Sequence, residues 1–364
     1  MKVKAERTVN EAQTVVASAG SNVYISGAAD ERYSRQILFA PIGTQGQHKL
    51  AERSVSIIGM GALGTVLANH MVRAGVGKVR IVDRDYVERS NLQRQMLYDE
   101  EDADLALPKV IAAERKLKRI NSSVSIEAIM ADVTPANVLE FIENTDLVLD
   151  GTDNFQTRFL LNDACYHEGI AFVYGGAVGS RGMSAIFVPG LTPCLRCLIP
   201  SADSGGETCD TVGVISPVVD LVASYQSAEA LKYLIGDDKA RRDSLISFDV
   251  WNNHQHMLKL GQPRDNCPCC GLNKYPALER EGEATISLCG RDSVQIAGHP
   301  PFDLHVWAQK LEKAMPNLKM NPYLLRGFLP EGERLVLFAD GRVLVQGTAD
   351  PARARTIYAR YIGG

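Results

Sequence analysis

Through the first two thirds of the chain, short apolar blocks alternate between strand-like and helix-like spacing. Ser54–Ile58 reads as a strand, Ala62–Ala74 as a helix and residues 79–82 as the next strand. Pro108 stands where the first residue of a helix running to about position 120 would be, since a helix start has no use for that amide hydrogen. Residues 124–128 follow as a strand, and residues 146–150 as another, nearly all apolar, as a strand buried on both faces should be. Phe155–Glu168 reads as a helix. Such alternation predicts an α/β fold with a doubly wound, Rossmann-like sheet. The order then changes. Strands at 172–175 and 184–188 come in quick succession, and a long helix covers roughly 217–235.

The flanks read differently. Residues 1–30 are polar and weakly patterned, which suggests a flexible extension with a short β segment at 22–26. Residues 31–40 look like the start of a helix carrying Arg32 and Arg35. The stretch 266–276, rich in Cys, Pro and Gly, marks a boundary. Beyond it, residues 285–364 read as a small α+β appendage. Strands at 335–338 and 343–345 are joined through Asp340-Gly341, and Pro351–Tyr361 closes the chain as a helix. The expected division is therefore an extension (1–30), a main domain (31–284) and a small C-terminal domain (285–364).

Candidate chemistry begins in the turn after the first strand. Gly59-Met60-Gly61-Ala62-Leu63-Gly64 is a G-x-G-x-x-G loop set between a strand and a helix. Glycines there let backbone approach a phosphate, and the helix start supplies N–H donors. Asp83 ends the next strand, about 20 residues on, where an acid can bond ribose hydroxyls. The alternative is tight helix–strand packing with no ligand. Arg94, in Ser90-Asn91-Leu92-Gln93-Arg94-Gln95, and Lys109 are cations that a bound dinucleotide does not need, whereas a triphosphate losing pyrophosphate does. Asp153, in Gly151-Thr152-Asp153-Asn154, lies at the carboxyl end of a strand. It reads either as a Mg²⁺ ligand beside phosphates or as the cap of the helix that starts at Phe155.

The eight cysteines do not form the pattern of a disulfide scaffold. Cys194-Leu195-Arg196-Cys197 and Cys267-Pro268-Cys269-Cys270 make two C-x-x-C turns, whose four thiolates suit a closed tetrahedral Zn²⁺ site tying distant parts of one domain together. The outer pair of the second turn, Cys267 and Cys270, has the usual spacing, which leaves Cys269 surplus. Neither pair opens a helix of a thioredoxin-like unit, so a redox dithiol is not favoured. Cys165 and Cys289 read as packing residues. Cys209 sits in the polar, Gly-rich stretch 201–213, where a reactive thiol and an ordinary one are equally compatible with the sequence.

A net charge of −4 excludes broad electrostatic binding to nucleic acid. No apolar run nears the roughly 18 residues of a membrane span, and the two early lysines are not followed by a signal-peptide core, so a cytoplasmic location is expected.

Taken in order, these elements resemble the ThiF/MoeB/HesA family, bacterial relatives of ubiquitin-activating enzymes. The resemblance runs from about position 31 to 271. It rests on Arg32-Tyr33-Ser34-Arg35-Gln36, the glycine loop, Ile81-Val82-Asp83-Arg84-Asp85, the 91–95 cassette, Lys109, Thr152-Asp153-Asn154, the two cysteine turns and Thr208-Cys209. The appendage, with Asn321-Pro322-Tyr323-Leu324-Leu325, resembles the C-terminal extension of such proteins from Bacillus-like bacteria. The resemblance implies an adenylyltransferase acting on the C-terminal glycine of a small ubiquitin-fold sulfur carrier ending in Gly-Gly, for thiamine or molybdenum cofactor synthesis. It implies ATP contacts from Gly59, Gly61, Gly64, Asp83, Asp85, Asn91, Arg94 and Lys109, with Asp83 on the ribose and Asn91, Arg94 and Lys109 on the phosphates. Asp153 would hold Mg²⁺, and Cys194, Cys197, Cys267 and Cys270 would bind zinc. Arg35 would reach the partner's ATP across a homodimer, and Cys209 would lie in a loop over the carrier tail. The appendage is too short for a whole sulfurtransferase domain, so a separate donor such as a cysteine desulfurase is expected. Competing readings are an NAD-dependent oxidoreductase, which leaves Arg94, Lys109 and Asp153 idle, and a tRNA- or peptide-modifying relative.

Overall fold

The structure, a computed structural model, describes residues 28–199, 209–280, 285–288, 292–296 and 298–363. The expected β segment at 22–26, Cys289 and the side chain of Cys209 lie outside the described residues.

The first part of the chain runs α1 (Ala28–Ile37), α2 (Gly43–Glu52), β1 (Ser54–Ile58), α3 (Ala62–Ala74), β2 (Lys78–Asp83), α4 (Glu100–Asp104), α5 (Lys109–Ile120), β3 (Ser125–Met130), α6 (Val138–Ile142), β4 (Leu147–Asp150), α7 (Phe155–Glu168), β5 (Ala171–Val178) and β6 (Arg181–Phe187). It continues through α8 (Leu195–Leu198), α9 (Cys209–Val212), α10 (Ser216–Ile235), β7 (Ser244–Asp249) and β8 (His254–Lys259). The eight strands form one sheet in the order β3-β2-β1-β4-β5-β6-β7-β8. The first five are parallel, and the last three are added antiparallel. Residues of α3, α5 and α10 form the core on one face, and those of α6, α7 and the cysteine turns form the core on the other. The doubly wound expectation therefore holds, with an antiparallel edge appended. Its switch point is the gap between β1 and β4, where a ligand crevice opens at the strands' carboxyl ends.

Helix α2 is not legible from propensity. Its sequence Gly-Thr-Gln-Gly-Gln-His-Lys-Leu-Ala-Glu has two glycines and little apolar content. It is held by docking, with Leu50 buried and Gln47 Nε2 donating to Ala74 O at 2.9 Å. Pro108 caps α5 from one residue earlier than expected, in extended backbone at φ −53° and ψ 137°.

The rest of the chain forms β9 (Thr285–Leu288), β10 (Ser293–Ile296), α11 (Leu304–Leu311), β11 (Lys319–Met320), β12 (Leu324–Phe328), β13 (Arg334–Phe338), β14 (Val343–Gln346) and α12 (Pro351–Tyr361). These make a six-stranded antiparallel sheet. One face packs under α11 and α12 through Leu325, Leu335, Leu337, Val343 and Val345. The other face, with Leu324, Val336, Phe338 and Leu344, lies against Tyr86, Ala106 and Met130 of the first sheet's unit. Among the described residues no helix is long and apolar enough to cross a membrane.

Candidate nucleotide site and four-cysteine centre

The glycines of the loop after β1 serve different ends. A methyl group on Gly64 would stand 1.8 Å from Gly59 O, and Gly59 takes φ +92° with its α-carbon against Gly151. Both are needed for β1, α3 and the end of β4 to meet closely, so the packing account suffices for them. Gly61 is not so confined. The nearest atom to a methyl there is Gln95 Nε2, at 3.9 Å. Gly61 also caps α3, so the space above it faces a helix N-terminus that no side chain caps.

Asp83 closes the other wall. Its Oδ2 accepts from Met60 N at 2.6 Å and its Oδ1 from Asp85 N at 2.7 Å. The acid at the end of β2 is thus tied to the glycine loop. Burial pushes its carboxyl above the ordinary value, against the opposing charge of Lys109. Lys109, buried at the start of α5, pairs with Asp85 Oδ2 at 3.1 Å. The Tyr98 hydroxyl donates to Met60 O at 2.8 Å and sits 3.2 Å from Lys109 O, linking the glycine loop to the start of α5. Asn91 ends a short 3₁₀ turn (Arg89–Asn91) and accepts from Glu88 N at 3.0 Å. Arg94 follows, half-buried, with Nη1 donating to Ser90 O at 3.0 Å.

Across the crevice, Asn154 caps α7, accepting from Thr157 N at 2.8 Å. The cap is Asn154, and Asp153 stands exposed beside it. Its charge reaches both Arg84 and Arg158. Burial works to lower the pKa of the Arg84 guanidinium, but the carboxylates of Asp132, Asp85 and Asp153 outweigh it and raise the value. Arg158, which sequence reading missed, organises the turn. Its Nε meets Asp150 Oδ2 at 3.1 Å, and its Nη2 donates to Thr152 O at 2.7 Å and Gly175 O at 3.0 Å. The available signal was Asp150 itself, since an acid at the end of an apolar strand needs a buried partner.

The structure thus links the glycine loop, Asp83, Asp85 and Lys109 at the carboxyl ends of β1 and β2, while Asn91 and Arg94 bond within their own turn and the charge of Asp153 reaches Arg84 beside Asp83. It does not bring Arg35 there. Helix α1 docks on the far end of α3, where Gln36 Nε2 bonds Ala74 O at 2.9 Å, and Arg35 is exposed. Cys209 begins the short helix α9 where a loop was expected.

The second centre joins the two cysteine turns. The sulfurs of Cys194, Cys197, Cys267 and Cys270 all lie within 4.8 Å of one another, with Cys194–Cys267 at 3.5 Å and Cys197–Cys270 at 3.4 Å. A tetrahedral Zn–S₄ site with bonds of about 2.3 Å needs sulfurs about 3.8 Å apart, so this donor set fits zinc. Helix α7 holds both turns. Asn162 Oδ1 accepts from Leu195 N at 2.8 Å, and Asn162 Nδ2 donates to Cys269 Sγ at 3.3 Å. Asp163 pairs through both oxygens with Arg196, each at 2.7 Å, and accepts from Ala277 N at 2.9 Å. Cys269 is therefore bonded to α7 and also touches Cys194 of the tetrad. Elemental analysis of purified protein is expected to give one Zn²⁺ per chain. Cys269→Ser should keep it and Cys267→Ser should lose it. Fully folded, active wild type without metal would refute the assignment.

The ThiF family model matches residues 33–269, more than half of the chain. The sulfur carrier protein ThiS adenylyltransferase of Bacillus subtilis is 48% identical over 336 residues, covering 91% of this chain and 99% of that one. The SAMP-activating enzyme E1 of Haloferax volcanii is 36% identical, covering 68% of this chain and 92% of its own length. Among solved structures, the E. coli MccB complex with ATP aligns with a TM-score of 0.58 at 23% identity, over 66% of this chain and 74% of that one, which is a likeness of fold. With its glycine loop, Asp83, Lys109 and three of the four clustered cysteines inside the matched span, the chain belongs to the ThiF family.

Proposed function

We propose that this protein adenylates the C-terminal glycine carboxylate of a small sulfur-carrier protein of the ThiS kind. What supports the reading is the turn after β1, where Gly61 is unconfined, Met60 N is bonded by Asp83 and the neighbouring Asp85 pairs with the buried Lys109. The relative sharing 48% identity is a ThiS adenylyltransferase, which supports the choice of carrier and a place in thiamine synthesis.

A carboxylate is a poor electrophile. In the proposed reaction one of its oxygens bonds to the α-phosphorus of ATP, the α–β phosphoanhydride bond breaks and pyrophosphate leaves with the electron pair. No general base is needed, only alignment of two anions and neutralisation of their charge. Asp83 holds the ribose. Asn91, Arg94 and Lys109 hold the phosphates, with Asp85 keeping Lys109 in place. Asp153 is the residue suited to Mg²⁺, which would offset phosphate charge when bound. Residues 31–284 form the adenylating unit and 285–364 its appendage. Sulfur comes from a separate donor, and Cys209 serves sulfur transfer or carrier release rather than adenylation. ATP–pyrophosphate exchange that requires Mg²⁺ and a carrier ending in Gly-Gly tests the proposal. Its absence with cognate carriers of both the thiamine and molybdopterin kinds would remove it.

Arg35 belongs to the partner's site in this reading. α3 has 13 residues, about 20 Å of helix, and it separates the helix bearing Arg35 from its own glycine loop. Mixing inactive Arg35→Ala with inactive Asp153→Ala is expected to restore part of the exchange activity, because a heterodimer holds one intact site. No rescue despite proven subunit exchange would exclude a role in trans.

A further inference from the structure

The C-terminal sheet touches the proposed nucleotide site's wall at both ends of one segment. At the start of that segment, Arg342 Nη1 donates to Arg84 O at 3.0 Å, between Asp83 and Asp85. Arg84 Nη1 in turn bonds Asp132 Oδ1 at 2.8 Å, and Asp132 Oδ2 accepts from Gln295 Nε2 of β10 at 2.7 Å. At the other end, Arg334 Nη1 meets Glu88 Oε1 at 3.1 Å. Glu88 forms a capping box with Asn91, whose Oδ1 accepts from Glu88 N. Between the two arginine contacts, the Tyr86 hydroxyl donates to Gln346 Oε1 at 2.9 Å, and the Tyr86 ring is buried under Phe338.

These contacts are built rather than incidental. Arg342 is 8% exposed, braced by Asp340 at 2.8 Å and lying over the Phe338 ring. The sheet face that carries Val336 and Phe338 is buried only because it sits on this segment and its neighbours. A side chain at either end of the segment could not shift without disturbing a residue assigned to ATP, namely Asp83 and Asp85 at one end and Asn91 at the other.

We propose that Arg342 and Arg334 are positioning residues for the nucleotide, acting through the Arg84 carbonyl and through Glu88 to fix the wall formed by residues 83–91. The inference rests on the adenylation reading above. It assigns the appendage a part in ATP binding rather than in carrier recognition or sulfur transfer.

The test uses the full chain and a non-hydrolysable ATP analogue, with affinity measured by calorimetry and exchange kinetics measured in parallel. Arg342→Ala and Arg334→Gln are each expected to weaken analogue binding and raise the KM for ATP about tenfold. The KM for the carrier should stay within about twofold. Glu88→Gln, made on the other side of the contact, should resemble Arg334→Gln, and it decides the matter if Arg342→Ala does not fold. Unchanged analogue affinity in folded Arg334→Gln and Glu88→Gln overturns the proposal. So does an equal rise in the KM values for ATP and carrier, which would mark general loosening. If the wild type itself does not bind the analogue, the adenylation reading falls first and this inference falls with it.

Discussion

Asp153→Ala and Arg94→Ala should each lower ATP–pyrophosphate exchange by roughly two to three decades, the usual cost of losing a preorganised charge contact. Neither change should unfold the protein. Asn154, not Asp153, caps α7, so alanine at 153 leaves the helix start satisfied. Arg94 bonds the carbonyl of Ser90 within its own turn, a partner that water can replace. Unfolding midpoints close to wild type would therefore accompany the lost rate. The fall belongs to turnover with the correct carrier present. If both variants exchange at wild-type rates, these residues do not handle the phosphates, and the crevice has been assigned the wrong chemistry.

Arg158→Ala should act on stability instead, by about 3–5 kcal/mol, as expected when one partner of a buried ion pair is removed. Asp150 is fully buried and Arg158 is its cation. The same guanidinium bonds the carbonyls of Thr152 and Gly175, so Arg158→Lys should recover little, because an ammonium cannot span that fork. The deficit should shrink as pH falls. Burial already holds the Asp150 carboxyl above its ordinary value, with Arg158 opposing. Without Arg158 the folded-state value rises further. The folded variant then binds a proton that the unfolded chain does not, and its relative stability grows as pH drops through the folded value. Urea unfolding near pH 5 and near pH 8 reads this out. A deficit that stays constant with pH would mean that Asp150 keeps its charge without the arginine.

The parts of the fold legible in the sequence are those where local pattern and tertiary role coincide. β1, α3, α7 and α12 match their expected bounds because each begins at a capping or turn residue and carries an apolar face. The parts that were not legible depend on neighbours. α2 is helical through what it docks on, and β8 is exposed along its length, so no alternation betrays it. β5 runs past Gly175, which reads as a stop. The glycine is there because the Gln226 side chain comes so close that a methyl would lie 2.3 Å from its Oε1. At the site, spacing sufficed for the glycine loop, Asp83 and the four clustered cysteines. It did not disclose Tyr98, Arg158, Asn162 or Asp163. Arg158 was signalled only through Asp150, whereas Tyr98, Asn162 and Asp163 bond groups brought close by the fold, of which a one-dimensional pattern carries no trace.

The face of the C-terminal sheet that rests on Tyr86, Ala106 and Met130 bears on how this lineage can be recombined. Without the sheet, Tyr86, Ala106 and Met130 would meet water. Cutting the sheet from this protein therefore cannot be done at the join alone. The surface beneath it has to be rewritten from apolar to polar.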